Sequence, residues 1–274
     1  MPTETQLKWD STSEKLYHTG TKEGILFPML SAQGSKSWYD HGVAWNGLTG
    51  VTETPGGAEA NDNYADDIKY ISLRGAETFN FTIEAFMAPD EWAACDGQTT
   101  VGTAMFGQQS RKPFGFAFKS TVGNDVDKND YGFDIHIEYN ATASPSERAY
   151  QTINENPELL TFSWECTSDP VTVVSNNETV MNKPTCNIIV RCTTGNGVLK
   201  KNASTGAIEF DETVAAGKNA KLLWDVLRGT NATTGQGATS GTYPTLPDPG
   251  VVYEIMNLEV SATKTVADYA DVVS

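Results

Sequence analysis

The chain has 274 residues, 39% of them hydrophobic, and a formal charge of −16. A chain this long buries roughly three-quarters of its unfolded surface, so it needs neither disulfides nor a metal to fold. The excess of carboxylates repels phosphate and argues against tight binding of DNA or of an anionic membrane.

In chain order, residues 1–30 show no basic start followed by an apolar run, so no export signal is expected. No apolar stretch approaches the ~20 residues that span a bilayer. Residues 1–40 read as an N-terminal arm, and Gly34-Ser35-Lys36-Ser37 lacks the order and spacing of a phosphate-binding loop. Gly47–Asp66 contains Pro55, Gly56 and Gly57 with little periodicity and reads as a long loop. Ile68–Leu73 is a strand candidate. In Thr78–Met87, Phe79, Phe81, Ile83, Ala85 and Met87 alternate with Asn80, Thr82 and Glu84, the pattern of a half-buried strand. Pro89, Asp90 and Glu91 open a short helix that Gly97 ends, at about residues 89–96.

Phe114, Phe116 and Phe118 alternate on a further strand. The Gly-Asn-Asp-rich segment Gly123–Asp130 then forms a hairpin connection. It leads into Gly132–Tyr139, where Phe133, Ile135, Ile137 and Tyr139 alternate with Asp134, His136 and Glu138. Leu160, Phe162 and Trp164 alternate next, and Asn187–Thr193 is another strand. Lys218–Arg228 carries Leu222, Leu223, Val226 and Leu227 on one stripe, stopped by Gly229, and is a helix. Gly229–Gly250 reads as a long Gly/Thr/Pro loop and Val251–Val260 as a last strand, so residues 230–274 form a C-terminal loop and strand or arm. With no repeat and no linker, residues 1–274 make one mainly β domain, a sandwich or barrel with one or two short helices.

Catalytic chemistry finds little support. The spacings of Cys95, Cys166, Cys186 and Cys192 match no zinc or redox motif, and they read as reduced thiols. Asp134, His136 and Glu138 share one strand face at a spacing of two and are potential metal ligands, but the solvated face of an amphipathic strand is the simpler reading. Asp125, Asp127 and Asn129 imitate half of a calcium loop, yet Asp130 stands where glycine is needed and His136 where glutamate is. Glu84 and Glu138 are a conceivable glycosidase pair, and the six Trp a conceivable sugar platform, although Trp164 and Trp224 sit on apolar faces that suit a core. His18 and His41 have no obvious partner in sequence. No catalytic residue, metal or cofactor is expected.

Several ordered blocks resemble one family. From Trp45 onward, A-W-N-G-L-T-G-V-T-E-T-P-G-G-A-E-A followed by Y-A-D-D-I-K-Y is similar to the major tail protein of siphophages of Gram-positive hosts. So are Phe81–Gly97 (F-T-I-E-A-F-M-A-P-D-E-W-A-A-C-D-G), Phe106–Phe116 (F-G-Q-Q-S-R-K-P-F-G-F), the Gly123-Asn124-Asp125 loop and Pro145–Glu158, leading into F-S-W-E at Phe162–Glu165. The resemblance covers roughly Gly42–Val171 and weakens beyond it.

It implies a β-sandwich or barrel that assembles without cofactor into hexameric rings, stacked into a tube through which the genome passes. The implied partners are copies of itself and the tape-measure, tail-terminator and distal-tail proteins. The location is the virion tail, after assembly in the host cytoplasm, with no membrane contact. On this reading Glu84, Asp134 and Glu138 are candidate lumen-facing carboxylates that let DNA pass without binding. Trp45, Thr52, Pro55, Tyr64, Asn124 and Asp125 lie in candidate inter-subunit loops. The competing expectation is a secreted or surface β-sandwich that binds glycans.

Overall fold

The computed structural model describes residues 9, 11–32, 34, 36–57, 60–73, 75, 77–152, 159–233, 239–259 and 261–273. Residues 1–8, 10, 33 and 35 of the expected arm, 58 and 59 of the expected loop at Gly47–Asp66, 153–158 of the Pro145–Glu158 block, 234–238 of the expected loop at Gly229–Gly250, and 260 and 274 of the expected C-terminal strand or arm lie outside the described residues. Strands account for 44% of the structure and helices for 12%, and the sheets are antiparallel without closing into a barrel. The fold is mainly β, as the turn-rich composition requires.

The elements run β1 (Tyr17–Pro28), β2 (Val43–Trp45), β3 (Leu48–Gly57), β4 (Asn61–Ala65), β5 (Ile68–Leu73), β6 (Glu77–Ala85), α1 (Trp92–Cys95), β7 (Thr99–Val101), β8 (Ala104–Phe106), β9 (Phe114–Asn124) and β10 (Lys128–Ala143). They continue β11 (Phe162–Ser168), β12 (Val174–Ser175), β13 (Glu178–Thr179), β14 (Asn187–Thr193), β15 (Leu199–Lys201), β16 (Ile208–Phe210), α2 (Ala215–Arg228), α3 (Pro249–Met256) and a 3₁₀ turn at Val266–Asp268. One eight-stranded sheet organises them, in the order β2-β1-β9-β10-β11-β6-β3, with β14 branching from β10.

The branch fixes the architecture. One edge of β10 pairs with β9, while the other pairs first with β14 over Gly132–Glu138 and then with β11 over Ala141–Ala143. The register to β9 shifts between Glu138 and Ala141, and Asn140 sits there with φ +47°. Asn tolerates the left-handed region better than other side chains, and a bulge bends a strand. The end of β10 therefore leads the sheet on into β11, β6 and β3, which fold back over one face of β9 and β10.

Two apolar clusters lie on opposite faces. Phe79, Phe81, Ile83 and Ala85 of β6 meet Trp164 and Cys166 of β11 and Phe114, Phe116 and Phe118 of β9, together with Trp45 and Trp92. Ile135, Ile137 and Tyr139 of β10 face the other way, toward Leu223, Val226 and Leu227 of α2 and Val252 and Ile255 of α3, with Phe133 packed at the margin. Sequence alternation is consistent with both sets being core. It does not reveal that they are two cores. Met87 leaves the pattern and is exposed, because the chain has already turned away from β6.

Several expectations are corrected. Gly47–Asp66 is not a loop: β3 pairs with β6 from Leu48↔Ala85 to Gly57↔Glu77, and β4 begins the next hairpin. Pro55 is compatible with this because β3 is an edge strand and a proline there removes no needed ladder donor. Tyr17–Pro28 is not an arm, since β1 lies between β2 and β9. Val251–Val260 is not a strand: Pro249 occupies the first turn of α3, and Val252 and Ile255, three apart, both turn inward. Gly250 permits this packing, as a Cβ there would fall 1.7 Å from the Val174 carbonyl oxygen. The helices at 89–96 and 218–228 appear as α1 and α2, and Gly229 ends α2 with φ +72°. The 123–130 connection is the β9–β10 turn. All four cysteines are free thiols.

Candidate functional site

Before the bulge, Asp134, His136 and Glu138 of β10 alternate with the helix-facing residues and so lie on the face turned toward β3, β6 and β11. Asp134 is 1% exposed and Glu138 is 0% exposed, which corrects the reading of this face as solvated. A sequence period of two records which residues share a face, not whether water reaches it. β10 is central and covered on both sides. A buried carboxylate does not line a channel, so of the three candidate lumen residues only Glu84, which is exposed on β6, keeps that option.

The two buried carboxylates are treated differently. Asp134 takes a forked contact from Arg191 of β14, with Nε 3.1 Å from Oδ1 and Nη2 2.8 Å from Oδ2. Arg191 and Asp134 are register partners, which places the guanidinium beside the carboxylate. Two parallel N–H donors into one carboxylate is the strongest of the ion-pair geometries. His18 completes this edge, its Nε2 3.2 Å from Arg191 Nη2.

Glu138 has no such partner. Neither carboxylate oxygen makes a hydrogen bond among the described residues. Burial, and then the neighbouring Glu53 carboxylate, push its pKa up to about 9. Glu53 arrives from β3, where it opposes Phe81 and so shares that residue's inward direction. Its Oε1 lies 2.9 Å from His136 Nδ1. The other ring nitrogen, Nε2, is 2.8 Å from Ser120 Oγ of β9, and the imidazole stacks on Phe118 with centroids 4.4 Å apart. One ligand atom from each of Glu53, His136 and Glu138 lies within 4.8 Å of the others. Sequence spacing brought His136 and Glu138 together. It grouped them with Asp134, which Arg191 occupies, and missed Glu53, which sits in a segment that carried no strand signal.

The expected inter-subunit residues also separate. Trp45 is core, packed against Trp92 at 4.8 Å between ring centroids, with its indole N–H donated to the Met87 carbonyl at 2.9 Å. Thr52 and Pro55 are held in the β3–β6 ladder. Asn124 is buried at the end of β9, and its Oδ1 accepts from the Val126 and Asp127 amides, shaping the turn. Asp125 Oδ1 accepts from the Ser13 amide, so the half calcium-loop pattern is used for turn and N-terminal contacts. Thr52 and Pro55 are nevertheless exposed on this edge strand, and Tyr64 stands clear on β4, 70% exposed.

Tyr64 belongs to the second distinctive region. The β4–β5 hairpin pairs only with itself, and Ile68, Tyr70, Ile71 and Leu73 are exposed along with it. The β7–β8 hairpin repeats this on a smaller scale with Val101, Met105 and Phe106. By contrast Trp45, Trp92, Trp164 and Trp224 are all buried, leaving only Trp9 and Trp38 accessible for a sugar platform. His41 stacks flat on Tyr243 at 3.9 Å. Among the described residues no helix is long and apolar enough to cross a membrane. Comparison with known protein families and with curated proteins finds no match to this chain.

Proposed function

We propose that this protein is a self-assembling structural subunit, the building block of the tail tube of a long-tailed bacteriophage. The observation that carries assembly is the β4–β5 hairpin. An isolated two-stranded hairpin is marginal in water, and this one displays Tyr64, Ile68, Tyr70, Ile71 and Leu73 to solvent. An apolar, unpaired pair of strand edges is a template for another chain. The edge strand β3 ends a few residues before β4, so an approaching copy has ladder groups available on both.

The resemblance of Gly42–Val171 to siphophage major tail proteins supplies the kind of assembly: stacked rings, hexameric in that family, that form a channel. The net charge of −16 suits a wall past which DNA slides, since like charge keeps phosphates from settling on donor groups. The other tail proteins are then its partners, and the virion tail its location.

Negative-stain microscopy of the purified protein over a range of concentrations tests this reading. Rings or tubes are expected. Monodisperse monomers at every concentration and salt condition would overturn it. Replacing Tyr64, Tyr70 and Leu73 by Ser should leave a folded monomer that no longer assembles, and assembly at the wild-type level by that variant would remove the hairpin from the explanation.

A further inference from the structure

We propose that Glu53, His136 and Glu138 bind one first-row divalent cation, of the Mn²⁺–Zn²⁺ series, which ties the edge strand β3 to the central strand β10. The inference rests on local geometry and not on the tail-tube reading. Two observations carry it independently. The first is the convergence of one imidazole nitrogen and two carboxylates from two strands that are not ladder partners, within 4.8 Å of one another. The second is Glu138 itself, fully buried, aimed into that convergence, with both oxygens unpartnered among the described residues. Buried carboxylates in folded proteins are paired or coordinate metals. Asp134, on the same strand face, is paired. Glu138 has an imidazole and a second carboxylate for neighbours, and the second carboxylate worsens its position unless a cation lies between them.

The chemistry of the histidine agrees. A ligating imidazole usually donates its other N–H to an oxygen that fixes the tautomer. The tautomer that donates Nε2–H to Ser120 Oγ, 2.8 Å away, leaves Nδ1 unprotonated and facing Glu53 and the cation position. The stack on Phe118 holds the ring plane. Without a cation, a proton between Nδ1 and Glu53 Oε1 accounts for their 2.9 Å separation. Binding exchanges that proton for the metal. Ligands at 2.0–2.2 Å around a tetrahedral ion stand roughly 3.3–3.6 Å apart, so His136 and Glu53 open slightly and Glu138 closes by side-chain rotation. A single nitrogen with two carboxylates suits the borderline divalent ions, whereas calcium asks for six to eight oxygens. Glu53 and His136 remain partly accessible, at 24% and 11% of their side chains, which leaves a route in while Glu138 closes the inner side.

The test uses the full chain, stripped with chelator and dialysed. Titration with ZnCl₂, followed by calorimetry and thermal unfolding, should give one Zn²⁺ per chain and a rise in Tm of about 5 °C or more at saturation. Co²⁺ in its place should give visible d–d absorption of a low-symmetry, nitrogen-containing site. Glu138→Gln should lower affinity at least 100-fold and abolish the Tm rise, while Glu84→Gln, exposed on β6, should bind as wild type does. If Glu138→Gln fails to fold, Glu53→Gln, at a partly exposed position, makes the same test. Ser120→Ala should cost roughly ten-fold, as loss of an orienting partner does. No saturable binding by the wild-type chain, or equal binding by Glu138→Gln or by a folded Glu53→Gln, would overturn the proposal.

Discussion

Strands β6 and β10 carry the same signature, aromatic and β-branched residues alternating with polar ones, yet their polar faces meet opposite fates. On β6, Glu84 stands in solvent. On β10, Asp134 and Glu138 are sealed. Position in the sheet makes the difference. β6 has one face on the aromatic cluster and one on water, whereas β10 is covered by α2 and α3 on one side and by the folded-back strands on the other. A carboxylate on an outer face needs nothing, while one on an inner face needs a partner. Asp134 has Arg191, and Glu138 has a site.

The comparison breaks first if the folded-back layer is opened. Phe81 of β6 is buried in the aromatic cluster, its ring 6.4 Å from that of Phe114, and it opposes Glu53 across the ladder. Phe81→Ala should cost about 3–5 kcal/mol, the usual loss for a buried aromatic. Chemical denaturation of the monomer measures it. A cost under about 1 kcal/mol would mean that this layer does not seal the β10 carboxylates at all.

The paired carboxylate is probed next. Arg191→Ala removes the forked partner of buried Asp134 and leaves His18, its Nε2 3.9 Å from Oδ2, which is a poor substitute, so about 3 kcal/mol should be lost. The double variant Arg191→Ala with Asp134→Asn should recover part of that. If it does not, the cost lies in the Arg191 stem and not in the stranded charge.

How much of this was legible in the sequence follows from the same pair of strands. The alternation in Thr78–Met87 and Gly132–Tyr139 located both strands, and the Gly123–Asp130 turn chemistry located the connection between β9 and β10. Burial of the polar face was not legible, because it depends on β11, β6 and β3 returning over β10 after the bulge at Asn140. Glu53 was missed for a related reason. β3 contains Thr-Pro-Gly-Gly at Thr54–Gly57, a turn-like composition that an edge strand tolerates and a central one does not. The α3 helix was misread because Val251, Val252 and Tyr253 favour strands, while the inward contacts of Val252 and Ile255 decided otherwise. The exposed hairpin was half visible: Ile68–Leu73 read as a strand with apolar residues on both faces. That two-sided pattern was the signal of an element without its own core.

The unpaired carboxylate sharpens the comparison in metal-free protein. Folded Glu138 keeps its proton up to about 9, against 4.5 for an ordinary glutamate. Its pKa is raised on folding, so its contribution is complete below pH 4.5 and drains away as pH climbs toward 9. Glu138→Gln has no proton to lose. In chelator, the variant should match wild type near pH 4.5 and exceed it by a margin that widens steadily as pH rises toward 9. Parallel stability curves across that range would show that Glu138 is solvated or already paired.

The smallest effect is expected where the sequence pattern was the same but the surroundings differ. Glu84 opposes Ser163 of β11 on one side and Gly50 of β3 on the other, on the face that meets solvent. Gly50 leaves room beside it, its missing Cβ falling 3.3 Å from Glu84 Oε2. Glu84→Lys therefore meets no buried partner and no close packing, and the long stem of Lys lies along the strand with its ammonium in water. The change in monomer stability should stay within about 0.5 kcal/mol, the range of surface substitutions, whereas Glu138→Lys places an ammonium in a sealed space and should prevent folding. If Glu84→Lys instead destabilises the isolated monomer by 2 kcal/mol or more, the outer face of β6 is not the solvated counterpart of the inner face of β10. If it leaves the monomer intact but alters assembly or the passage of DNA through tubes, the face belongs to a surface that only the assembled protein possesses, and Glu84 is the one carboxylate of the three that can serve there.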